Sequence, residues 1–252
     1  MKKEEALFTY CLRLGDDALI LGHRLSELCS RAAFIEEDLA LTNISLDMIG
    51  RAQAILKYAS EVEGKGRTED DLAYRRPEPK YLNHLLVEQD NGDFARTIAR
   101  QLFVSSFEYF LYTDLEKSSD PTLSAIAGKA IKEVKYHFEH AAEWTIRLGD
   151  GTEESHTRMQ KAINDLWMYT GELFEMDETE NLLLKDGVAA DLIPIKSQWQ
   201  IKVQNVLSEA TLKMPEDGYM QTGGRNGRHT EKLGHALSEM QYLQRAYPDA
   251  KW

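Results

Sequence analysis

Apolar residues recur at alternating spacings of three and four through four long segments, close to the 3.6-residue period of an α-helix. In the first segment the stripe is Leu7, Cys11, Leu14, Ala18, Leu21, Leu25 and Leu28. In the second, from about Phe34 to Val62, it is Asp38, Leu41, Ser45, Met48, Ala52, Ile55, Ala59 and Val62. The third runs from an N-cap at Asp93 to about Lys117, and its FVSSFEYFLY run is apolar and aromatic on every side, which predicts a central position. The fourth opens on Asp120 and Pro121, an N-cap acceptor followed by proline at the first helical position. Its stripe is Leu123, Ala127, Ala130, Val134, His137, Ala141, Trp144 and Leu148. A one-faced helix must bury its stripe, so four of them dictate a helical bundle.

The connections refine that expectation. Only a short link near Arg31 to Ala33 separates the first two helices, as in antiparallel neighbours, and Cys11 and Cys29 fall in one continuous helix. Eighteen residues at about 1.5 Å rise put those thiols roughly 27 Å apart, too far for a disulfide, so both read as small buried apolar residues. The stretch from Gly64 to Gly92 reads as a long surface crossover with one short helix at Tyr81 to Val87. Ferritin-like bundles join their halves by such a crossover. Weaker stripes near Glu154 to Met176, Pro194 to Leu212 and Thr230 to Tyr247 predict accessory helices laid on the bundle or on a partner. The expected architecture is all-α: a ferritin-like four-helix bundle over about 4–148 with additional C-terminal helices over about 154–247, together one domain spanning 1–252. No segment alternates as a β-strand would.

Forty-two acidic against thirty basic side chains give a net charge of −12, which repels nucleic-acid backbones and anionic membranes. An anionic small molecule would need a local basic patch. The best clusters, Arg75 with Arg76 and Lys80, and Arg225 with Arg228, read as solvated loop charges. Charges interrupt every N-terminal window long enough to be a signal-peptide core, and no stretch is long enough to cross a bilayer, so a cytoplasmic location is expected.

A di-iron carboxylate site in such a bundle takes a glutamate from each of two helices and Glu-x-x-His from each of the other two. Here Glu133 and His137 are i and i+4, and Val134 stands where that ligand would be. The middle of the second helix carries Asp47, Met48 and Arg51, with Asp47 and Arg51 spaced for an ion pair. A cation repels a dication, and a thioether is a poor ligand for iron. Asp47, Met48, Arg51, Val134 and His137 thus form the expected remnant of a metal centre, with Asp47, Arg51 and His137 close together at mid-bundle. No catalytic, cofactor-binding or metal-ligating residue is assigned. The competing reading is a reduced ligand set, with Asp47, Glu133 and His137 first and Glu108 and Asp38 as weaker candidates; a third is a generic helical adaptor or homodimer. Asp17, Asp38 and Glu108 are otherwise expected as polar core groups. Gly223, Gly224 and Gly227 precede a helix that Thr230 could cap, but they lack both the phosphate-loop pattern and a preceding strand, so a rigid turn or docking loop is expected.

Ordered motifs run nearly end to end: LRLGD at Leu12 to Asp16, DLALTNISLD at Asp38 to Asp47, LLVEQDNGDFARTIARQ at Leu85 to Gln101, AIKEVKYH at Ala130 to His137, TGGRNGRHTEKLG at Thr222 to Gly234, and EMQYLQR at Glu239 to Arg245. By these the chain resembles the C-subunit family of bacterial phenylacetyl-CoA epoxidases, also called phenylacetate-CoA oxygenases. The resemblance implies a ferritin-like fold and a place in a multicomponent monooxygenase that epoxidises the aromatic ring during phenylacetate degradation. It implies a homologous catalytic subunit holding di-iron, a further small subunit, and a reductase using NADPH, FAD and an iron–sulfur cluster. This chain would be the structural paralogue, with no cofactor of its own.

Overall fold

A computed structural model describes residues 1–248 and 250. Its helices in chain order are α1 (Lys3–Ser26), α2 (Ile35–Glu63), α3 (Glu69–Tyr74), α4 (Phe94–Leu115), α5 (Pro121–Gly149), α6 (Glu153–Trp167), α7 (Glu178–Lys185), α8 (Leu192–Glu209), α9 (Glu231–Met240) and α10 (Tyr242–Ala246). No strand occurs among the described residues. The chain forms two compact units, one of Met1–Asp90 with Gly223–Trp252 and one of Asn91–Thr222.

The first unit is built on the antiparallel pair α1 and α2. Gly15 and Gly22, seven residues apart on α1, let α2 come close: a Cβ on Gly15 would lie 2.7 Å from Leu56, and one on Gly22 3.0 Å from Ile49. The link between them holds a correction. Helix α1 stops at Ser26, Ser30 takes a left-handed conformation (φ 66°), and Cys29 is exposed on that turn, whereas Cys11 is buried as expected. Asp38 is half-buried and accepts the Ser30 N–H at 2.6 Å. It therefore fastens the turn instead of filling the core.

The crossover also differs from expectation. Its helix is α3, opened by a reciprocal cap in which Thr68 Oγ1 accepts the Asp71 N–H (3.2 Å) and Asp71 accepts the Thr68 N–H (2.9 Å). Tyr81 to Val87, expected to be helical, is instead irregular. The buried carboxylates of α1 capture two of its backbone N–H groups, leaving them unavailable to a helical ladder.

The second unit is built on the antiparallel pair α4 and α5, with α6 and α8 laid against them. Asp93 accepts the Arg96 N–H (2.9 Å), and Asp120 accepts those of Thr122 (3.0 Å) and Leu123 (2.9 Å), so both anticipated caps form. Helix α4 is buried around most of its circumference, as its composition predicts. Trp199 of α8 donates its indole N–H to the Phe103 carbonyl (2.9 Å) and stacks on Trp167 with ring centres 5.7 Å apart. The segment expected as one helix to Met176 ends at Trp167; a short 3₁₀ turn at Gly171–Phe174 and the Asp177-capped α7 follow.

Candidate functional site

On α2 the structure places Met48 fully buried, Arg51 only 4% exposed and Asp47 half-buried, all in the first unit. On α5, in the second unit, Val134 and His137 are fully buried one turn apart on the core stripe. Glu133 falls outside that stripe, half-buried, with Lys129 at 3.9 Å. Glu108 is buried on α4 and Asp17 on α1, as polar core groups should be. Among the described residues no three His, Cys, Asp or Glu side chains converge as metal ligands. The guanidinium and thioether on α2, and the valine on α5, are each poor donors to iron.

The denser polar assembly lies within the first unit, where the sequence suggested only solvated charge. Arg76 is 5% exposed and grips both carboxylate oxygens of fully buried Asp16; it also donates to the carbonyls of Leu72 and Lys80 (2.7 Å to the latter). The neighbouring Asp17 accepts from Arg225 (2.9 Å), the His84 ring (2.9 Å) and the His84 backbone N–H (2.7 Å). Arg225 reaches the Leu82 carbonyl as well, at 2.8 Å. The expectation of solvated loop charges is thus corrected for Arg76 and Arg225. Each neutralises an α1 carboxylate that would be too costly to bury alone. Burial lifts the Asp16 carboxyl above its ordinary value against the pull of Arg76. Burial also opposes ionisation of Asp17, but Arg225 and His84 together hold its carboxyl below the usual range.

The glycine-rich run explains how Arg225 arrives. Gly223 (φ 125°) and Gly227 (φ 73°) take conformations that L-residues rarely adopt, and a Cβ on Gly227 would overlap the Pro79 carbonyl. The run is therefore a rigid turn seated on the crossover. Just after the turn, His229 and Thr230 meet the fully buried Glu88 carboxylate of the crossover, which accepts from His229 (2.8 Å), Asn83 (2.9 Å), the Thr230 N–H (2.6 Å) and the Thr230 hydroxyl (2.8 Å). Thr230 spends its hydroxyl on Glu88 and does not cap α9, contrary to the sequence reading. Burial works against protonation of His229, but the Glu88 carboxylate outweighs it and raises the imidazole pKa. Gln241 completes the seam, donating to the Arg76 carbonyl (2.8 Å) and the Tyr81 hydroxyl (2.7 Å).

Residues 1–252 match the model of the phenylacetic acid catabolic protein family over their whole length. The chain belongs to that family. The C subunit of the 1,2-phenylacetyl-CoA epoxidase of Escherichia coli (strain K12) is 48% identical to it over 246 residues, covering 98% of this chain and 99% of the relative. The phenylacetic acid catabolic proteins share an all-α, ferritin-like fold, which is the class expected from the four stripes. No helix among the described residues is long and apolar enough to cross a membrane.

Proposed function

We propose that the chain is the structural, non-catalytic subunit of a cytoplasmic phenylacetyl-CoA epoxidase, holding a homologous di-iron subunit in its working geometry. The observation that carries this reading is the filling of the ligand stripes by Met48, Arg51 and Val134, all buried and none suited to iron. Relatedness to the C subunit of an epoxidase at 48% identity points the same way.

A supporting subunit needs an apolar surface to offer. Ile35, Leu39 and Leu46 lie on one face of α2 and are 71%, 58% and 61% exposed, with half-exposed Phe34 at their end. Such a stripe on a chain of net charge −12 is an association surface in the usual sense. In this reading the partner's helices carry the iron, and a separate reductase with NADPH, FAD and an iron–sulfur cluster delivers electrons. A further small subunit completes the complex, and alone the chain pairs with itself. This chain contributes rigid packing behind the partner's ligand-bearing helices.

The test is to purify the chain alone and together with its catalytic partner, then assay iron and ring epoxidation in both. Iron and turnover are expected only in the complex; stoichiometric iron with turnover in the isolated chain overturns the proposal.

A further inference from the structure

The surroundings of the His229 ring fix how many protons it carries. Its side chain and that of Glu88 are both fully buried. Nε2 stands 2.8 Å from the Tyr81 carbonyl, which can only accept, so Nε2 carries a hydrogen. Nδ1 stands 2.8 Å from Glu88 Oε2, and a hydrogen must lie on that line too, because two bare lone pairs would repel. Oε2 also accepts from Asn83, and Oε1 from the Thr230 N–H and hydroxyl, so Glu88 is met by donors on every side and the second hydrogen belongs to the imidazole. The pair therefore encloses one proton more than a neutral histidine beside a carboxylate would.

That proton sits where the stretch Arg228 to Met240, which contains α9, meets the crossover. Leu233, Ala236 and Leu237 are the buried apolar residues of α9. The other fastenings are polar: Arg24 of α1 donates to the carbonyls of Glu88 (3.0 Å) and Lys232 (2.5 Å), and Lys232 meets Asp90 at 3.1 Å. We propose that the proton held between His229 and Glu88 latches Arg228–Met240 onto the crossover, and that its loss on the alkaline side releases this segment from an otherwise folded unit. A neutral ring satisfies Tyr81 or Glu88 but not both, and either way a fully buried carboxylate loses its counter-ion. The charged and titratable groups around the pair do not replace it. Arg24 and Lys232 are engaged by Glu27 and Asp90, and Arg225 and His84 by Asp17. The Tyr81 phenol, raised by burial, stays neutral, and Glu78 adds to the hold on the proton. Because the His229 value is raised above 6.5 in the folded chain, the latch is complete below about pH 6.5 and weakens as pH climbs through the raised value. It lies wholly in this chain's first unit and does not depend on a catalytic partner.

The experiment is amide hydrogen exchange of the full chain from pH 6 to pH 9, corrected for intrinsic exchange rates, beside nitrogen-15 NMR of the histidine rings. At pH 7, where an ordinary histidine is mostly neutral, both ring nitrogens of His229 should carry hydrogen. Opening of Arg228–Met240 should rise about tenfold or more across the range while α1 and α2 keep their protection. His229→Gln, which cannot titrate, should remove this pH dependence, and His235→Gln at an exposed position of α9 should preserve it. Should His229→Gln fail to fold, the wild-type ring titration and the exchange midpoint, which must coincide, give the same test. A singly protonated His229 ring at pH 7, or opening that follows pH in His229→Gln as it does in wild type, overturns the proposal. So does loss of protection in α1 and α2 together with α9, since the pair would then stabilise the whole unit and latch nothing.

Discussion

Replacing Arg76 by leucine removes the counter-ion of a fully buried carboxylate. Asp16 is 0% exposed and accepts from both terminal nitrogens of Arg76 and from the Leu82 N–H. Loss of one partner of a buried pair costs about 3–5 kcal/mol, and the Leu72 and Lys80 carbonyls lose a donor each, at about 1 kcal/mol apiece. Protonation of Asp16, whose carboxyl burial already lifts, relieves part of the loss. The net expectation for Arg76→Leu is about 3–5 kcal/mol in urea unfolding at pH 7, or about 6–20 °C in melting temperature for a chain of this size. Because the penalty comes from the stranded charge, Asp16→Asn with Arg76→Leu should recover about 1–3 kcal/mol of it. The single variant should also lose less at pH 5 than at pH 8, since neutral Asp16 no longer needs a counter-ion. A single variant as stable as wild type, or a double variant no better than the single, would refute the reasoning.

Gly227→Ala should destabilise the first unit by about 2 kcal/mol or more, seen as a lower urea midpoint, because the left-handed backbone and the Pro79 carbonyl both reject a Cβ. His23, whose pKa burial lowers from 6.5 to about 4, makes an acid limb. Its folded pKa lies below the unfolded one, so stability is undiminished above about pH 6.5 and falls by at most about 3 kcal/mol as pH drops toward 4. His23→Gln should flatten that limb in pH-dependent denaturation, and an unchanged limb would assign it to another group. Leu39→Asp with Leu46→Asp should weaken capture of the catalytic subunit at least tenfold in co-purification titrations while leaving the melting temperature within 2 °C or so, because both side chains are more than half exposed.

What could be read from the sequence was local. Asp93, Asp120 and Pro121 announce their helices because a cap and its N–H groups lie within three residues of each other, and the four stripes follow from periodicity alone. Thr68 to Asp71 carries an equally local capping signal, yet the crossover's short helix was expected at Tyr81 to Val87 and α3 was missed. The basic assembly was not legible. Arg76 finds Asp16 across 60 positions and Arg225 finds Asp17 across 208, so each cationic cluster stands in the sequence without its counter-ion. Tyr81 to Val87 failed for the same reason: the acceptors that hold its backbone are on α1.

The seam at Glu88 also bears on the order in which the protein matures. A ribosome delivers Asn91–Thr222 before Arg225, His229 and Gln241 exist, so Asp17 lacks its arginine and Glu88 its histidine until that whole intervening unit has been synthesised. The nascent N-terminal hairpin is consequently an unfinished client, open to chaperones and proteases, and only a chain translated through this last segment can seal it.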